Sequence, residues 1–241
     1  MSNELLLFCS MIAEYSAVVF LYYLLDKEGL YLWTVLATIT ANIEVMILVH
    51  AFGIEMTLGN VLFATTFLVT DIMSELYGKE EAKKAVRIGI ATSVVFVLIS
   101  STWLIYQPSA QDTSWISICR IFSQTPRLMF ASIVVYVIVQ YFDVWMYHRW
   151  WNWSNQKCGD RDRFLWLRNN GSTMISQLLN TVLYSIFAFA GEYSIDTLTS
   201  IMISSYAIFF VTSLVDTPFL YLCRRISKRK KLKNNTKDNT I

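Results

Sequence analysis

Asp71 and Glu75 are acids four residues apart, and on a helix that spacing puts both on one face. They close an apolar run, Asn60 to Val69. Gly78, a helix stop, and the charged run Lys79-Glu80-Glu81-Ala82-Lys83-Lys84 follow them. Carboxylates at the end of an apolar segment of membrane length are costly unless they face a polar cavity or a partner. The two acids therefore mark a candidate binding site. The bland alternative is that they mark a membrane–water boundary.

The same tension recurs elsewhere. Glu14, Glu44, Asp71, Glu75, Asp143 and Asp216 all fall within or at the edges of apolar segments, and almost no basic residue sits deep enough to neutralise them, Arg127 and Arg87 being the nearest candidates. An acid at the centre of a span costs about 2.5–3.5 kcal/mol on insertion scales. Unpaired acids in this number imply a hydrated cavity, protonated carboxyls or a cationic ligand. Amides accompany them. Gln140 and Asp143 share a helix face, Gln177 and Asn180 repeat the spacing, and Asn42 adds a polar group to an earlier segment. As interhelical glue each amide is worth roughly 0.6 kcal/mol. As a set, they suit a flat, hydrogen-bonding ligand held between helices.

The elements that must position these residues are long apolar helices. The chain has 241 residues, of which 55% are hydrophobic, and its mean hydropathy is +0.43, too apolar for an ordinary soluble domain. Seven apolar segments are read: 5–25, 30–52, 60–77, 86–106, 126–148, 171–191 and 200–223. Each is near the roughly 17–25 residues needed to span hydrocarbon. The short alternating segments of a porin-like barrel are absent. The expected class is an all-α, polytopic helical membrane protein with six to seven transmembrane helices. Six would follow if segment 60–77, polar in its last third, were re-entrant.

Residues 1–223 read as a single transmembrane domain. Residues 224–241 carry eight Lys or Arg and one Asp, and read as a basic, disordered cytoplasmic tail near anionic lipid. That tail has no interleaved aromatics and no surrounding module, so nucleic acid is not an expected partner. The 79–87 connection holds four basic residues and the 149–170 loop five, whereas 53–59 and 192–199 hold none. The positive-inside rule then puts the C-terminus inside and, with seven spans, the N-terminus outside. The cluster Trp150-Trp151-Asn152-Trp153 fits an aromatic belt at the inner boundary. Cys9, Cys119, Cys158 and Cys223 are scattered, with no metal-ligand spacing, and argue for neither a metal nor a disulfide. His50 and His148 sit at span ends. No G-x-x-x-x-G-K-[ST], H-E-x-x-H or G-x-S-x-G motif occurs, so no cofactor is implied, and an intramembrane aspartyl enzyme is the weaker alternative class.

The residues also carry a family resemblance. Thr70 to Gly89, TDIMSELYGKEEAKKAVRIG, looks like the signature of the bacterial queuosine precursor transporter family, once called a vitamin uptake family. Thr125 to Tyr147, TPRLMFASIVVYVIVQYFDVWMY, resembles that family's arginine-started helix. Leu165 to Gly191, LWLRNNGSTMISQLLNTVLYSIFAFAG, resembles the helix that follows it. The resemblance covers about residues 35–225. It implies a multi-pass bacterial inner-membrane importer of queuine or related 7-deazaguanine bases, feeding tRNA modification, and not an enzyme. Carried over by position it points to Asp71, Glu75, Arg127, Gln140, Asp143 and Gln177. Family members usually have an acid where this chain has Asn180, a departure that bears on the substrate. With Asn42, these residues form the expected substrate-binding set. A homodimer is compatible with this reading. The alternative within transport is a substrate-binding subunit energised by a separate ATP-driven complex.

Overall fold

The structure is a computed structural model, and it describes residues 2–123, 126–158, 164–189, 191 and 193–238. The architecture is all-α with one small β-hairpin. In order the elements are α1 (Asn3–Glu44), β1 (Leu48–Ala51), β2 (Ile54–Thr57), α2 (Gly59–Leu76), α3 (Lys79–Trp103), α4 (Trp115–Ser123), α5 (Pro126–Cys158), α6 (Leu165–Phe189) and α7 (Ile195–Asp238). Among the described residues α1, α3, α5, α6 and α7 are long and apolar enough to cross a membrane.

Helix α1 is two limbs joined at Asp26, whose backbone leaves the helix at φ 51°, ψ −131°. The limbs fold back on each other. Gly29 lies against the Leu21 carbonyl, and Asn3 at the far end of the first limb donates to the His50 carbonyl just beyond the second. Two expected segments thus become one element with a sharp reversal. Lys230 of α7 closes the bend by donating to the Tyr23 carbonyl and to Asp26 Oδ1, both at 2.7 Å.

The second limb ends at Glu44, where the hydropathy suggested a span to Phe52. Residues 48–57 instead form an antiparallel hairpin pairing Leu48 with Thr57 and Ala51 with Ile54. Its two-residue turn, Phe52-Gly53, has φ of 54° and 75°, the left-handed geometry that fits a tight hairpin. Helix α4 lies where the sequence suggested only a polar connection. Its Phe122 ring packs edge-on against Trp103 at 5.2 Å, fixing α4 to the end of α3.

Helix α2 is the axis of the bundle. All eleven residues from Ala64 to Ser74 are buried, and α2 packs against α1, α3, α5 and α7. Gly78, at φ 90°, separates α2 from α3, as the sequence suggested. The outer surface is apolar, with Phe8, Phe20, Leu98, Ile203 and Val211 exposed, while Thr, Ser, Asn, Gln and Asp side chains are packed inside. That arrangement suits hydrocarbon outside and hydrogen-bonding partners within. Helix α7 continues to Asp238, so the basic stretch after 224 is helical through that residue.

Candidate functional site

The polar interior is built from one face each of α2, α5, α6 and α7, and forms two cavities separated by a packed polar layer. The first cavity, about 550 Å³, opens beside the β-hairpin. Asn42 from α1, Asn60, Phe63 and Thr66 from α2, and Ser132 and Tyr136 from α5 line it. Asn180, Thr181, Tyr184 and Phe189 from α6 and Phe209 from α7 complete the wall. Among the described residues no Asp, Glu, Lys, Arg or His lines this cavity. Gly89 of α3 presses on its wall. A Cβ there would collide with the Tyr136 hydroxyl.

Thr66 is both wall and floor: its Oγ1 accepts from Gln140 Nε2 at 2.7 Å. Below Gln140 lie three carboxyls. Asp71 Oδ2 accepts from Thr173 at 3.0 Å. Asp216 Oδ1 accepts from Asn169 Nδ2 at 2.8 Å. Asp143 is fully buried with the Ser176 and Thr70 hydroxyls beside it, and among the described residues neither of its oxygens receives a hydrogen bond of good geometry. Asp71 interacts electrostatically with both Asp143 and Asp216. Gln177 Nε2 is also buried without a partner among the described residues, and the Ser176 hydroxyl lies beside Asp143.

One turn further along α2, Glu75 closes the layer. Arg168 donates to its Oε2 at 2.6 Å, Tyr147 to the same oxygen at 2.8 Å, and Arg224 approaches Oε1 at 3.5 Å. The Arg168 guanidinium also stacks on Trp151, 4.5 Å from the ring centre. Beyond this cluster is the second cavity, about 420 Å³. It is lined by Ser74, Glu75, Trp151, Arg224, Lys228 and Lys231 among others.

The expected set therefore divides. Asn42 and Asn180 line the first cavity. Gln140, Asp143, Asp71 and Gln177 lie in the layer beneath it, and Glu75 stands at the second cavity. The side chain of Arg127 lies outside the described residues. Arg168 was missed. The sequence placed it in a loop, with no cation deep enough to meet an acid. Helix α6 begins six residues earlier than expected, and Arg168 is one of its most buried side chains. A signal was present. Arg168, Ser172, Ser176 and Asn180 continue one polar stripe at four-residue spacing. Asn169 and Asn170, which donate to Thr217 of α7 beside Pro218, were missed for the same reason, whereas Thr217 lay inside the expected segment 200–223 and was not singled out.

Comparison with known proteins bears on what this interior serves. A family described as "Putative vitamin uptake transporter" matches residues 57–223, more than half of the chain. The chain is also 35% identical over 215 residues to a Bacillus subtilis (strain 168) protein named "Probable queuosine precursor transporter", covering 89% of this chain and 92% of that one. The chain belongs to this transporter family. The resemblance read from residues 70–89, 125–147 and 165–191 is thereby borne out, and the family is named for transport rather than catalysis. With its apolar helices, the chain is a multi-pass membrane protein. No solved structure matches it.

Proposed function

We propose that the chain imports a 7-deazaguanine base, queuine or a related queuosine precursor, across a bacterial inner membrane. The name of the Bacillus relative supports the substrate class. The observation that carries the reading is the chemistry of the first cavity, which is aromatic and amide-lined and, among the described residues, without Asp, Glu, Lys, Arg or His. A flat heterocycle with donors and acceptors on its edges matches such a wall: rings to stack on, amides to fix orientation, no ion to strip of water. Asn42 and Asn180 contact the base. Gln140 and Gln177 form the floor, and Asp71, Asp143 and Glu75 act beneath the base rather than on it.

The two limbs of α1 with α2, α3, α5, α6 and α7 give seven crossings. Helix α2 has 18 residues, about 27 Å at 1.5 Å per residue, close to the roughly 30 Å of hydrocarbon. The basic residues around the second cavity face the cytoplasm, and the hairpin and first cavity face outward. Alternating access then moves the base past the Gln140 and Asp143 layer.

The test is rescue of a bacterium that neither makes queuosine nor has its own importer. Each 7-deazaguanine precursor is supplied at low concentration, with its salvage enzymes present, and queuosine in tRNA is assayed. Rescue by at least one precursor is the expected result, and it names the substrate. No rescue by any precursor, with the chain verified in the membrane, would refute the reading.

A further inference from the structure

The layer between the cavities holds charge that base recognition does not use. Asp71, Asp143 and Asp216 come from three different helices, and each is at most 1% exposed. Their oxygens are incompletely bonded: among the described residues Asp71 Oδ1 and both oxygens of Asp143 are buried without a hydrogen bond of good geometry, although the Ser176 and Thr70 hydroxyls lie beside Asp143. Asp71 interacts electrostatically with both of the other acids, and carboxylates that do so repel one another in a water-poor interior, so the layer calls for a cation.

Among the described residues, the charges packed around it are already engaged elsewhere or are themselves acidic. On α2 the nearest is Glu75, another acid, and it holds Arg168 of α6 and Arg224 of α7 at the side facing the second cavity. Tyr147 on α5 donates to Glu75. Helix α1 contributes Tyr15, bonded to the Thr212 carbonyl and facing Asp216, with Glu14 behind it. Helix α3 carries its charges on its first turns, where Lys79 and Lys83 face His148. Among the described residues no group of three or more His, Cys, Asp or Glu is disposed to hold a metal ion. A proton needs only one oxygen.

Resting on the transport reading above, we propose that Asp143, with Asp71 and Asp216, forms a proton-binding site that couples base movement to proton movement between the two cavities. A proton enters from the outward cavity past Gln140, resides on Asp143 or a neighbouring acid while the layer is closed, and leaves toward the second cavity as the base is released. No other group is consumed.

The experiment uses the full chain reconstituted in liposomes, with tritiated queuine as probe. Uptake is measured with no gradient, with acid outside, and with a sodium gradient alone. A pH-sensitive dye in the medium records proton flux on addition of unlabelled queuine. The expected result is a several-fold rise in accumulation with acid outside, abolished by a protonophore, together with queuine-dependent alkalinisation of the medium. D143N, and separately D216N, should lose the response to the pH gradient. Gradient-independent uptake by the wild type, dye traces that ignore queuine, or a response to sodium alone would each overturn the proposal. Because the wild-type dye trace stands by itself, a variant that fails to fold does not shield the idea. Queuine exchange without proton coupling would sink this proposal and leave the base reading standing. No exchange of queuine or any other 7-deazaguanine base would remove both.

Discussion

Arg168 on α6 donates to Glu75 on α2 at 2.6 Å, with side-chain exposures of 1% and 4%. The pair ties together two helices on opposite sides of the polar layer, at the point where the second cavity begins. Breaking a buried ion pair by removing one partner typically costs about 3–5 kcal/mol, because the other charge is left stranded. R168A and E75A are each expected to lower the melting temperature of the detergent-solubilised protein markedly. The double variant R168A/E75A should lose clearly less than the sum of the two single losses. Strict additivity in a double-mutant cycle would show that the pair does not act as a unit.

The ion pair between Lys230 and Asp26 is the useful contrast. It is as short, at 2.7 Å, yet its side chains are 33% and 54% exposed. Solvent-exposed pairs contribute roughly 0–1 kcal/mol. K230A should therefore shift the melting temperature little, and raising the salt concentration should not change that. A fall comparable to that of R168A would mean that the bend at Asp26 depends on Lys230 far more than its exposure implies.

Asn180 faces the first cavity and donates weakly to Gln177 Oε1 at 3.4 Å, so its amide remains available to a ligand. Removing one hydrogen-bonding partner from a buried polar contact costs about 1–3 kcal/mol. N180A should weaken binding of the rescuing precursor by roughly 10-fold or more. N180D puts a carboxylate into a cavity that is otherwise neutral, and should change the ranking among 7-deazaguanine bases rather than weaken all equally. Competition assays with unlabelled bases read both effects. Unchanged affinity in both variants would take Asn180 out of the site.

Gly89 lets α3 close over the Tyr136 hydroxyl. An added methyl must push that ring toward the cavity, because the contact is with the ring and not with a flexible tail. G89A should raise the substrate concentration needed for half-maximal uptake several-fold at unchanged membrane abundance. Y136F in the same chain should recover part of the loss. If G89A transports normally, Tyr136 has room to move elsewhere and does not set the shape of the cavity.

The helices were legible in the sequence because hydrocarbon imposes long apolar runs, and five such helices stand among the described residues. Their ends were less so. Ile47-Leu48-Val49 is apolar whether it continues a helix or enters a strand, and only the left-handed Phe52-Gly53 turn distinguishes the two. The acids and amides announced a polar interior, since such groups rarely face lipid. Their division between a neutral cavity and an acidic layer depends on how α2 is threaded through the bundle, which spacing within one segment cannot reveal. Arg168 escaped because a charged residue lowers local hydropathy and shortens the apparent helix, although it continues the stripe that runs to Asn180.

The most direct measurement is counterflow of tritiated queuine into liposomes that contain this chain and no other protein. Saturable exchange, competed by other 7-deazaguanine bases and reduced by N180A and by Y184A in the cavity wall, is the result this account predicts. Exchange that requires a second, ATP-hydrolysing protein, or that is indifferent to both cavity variants, would contradict it.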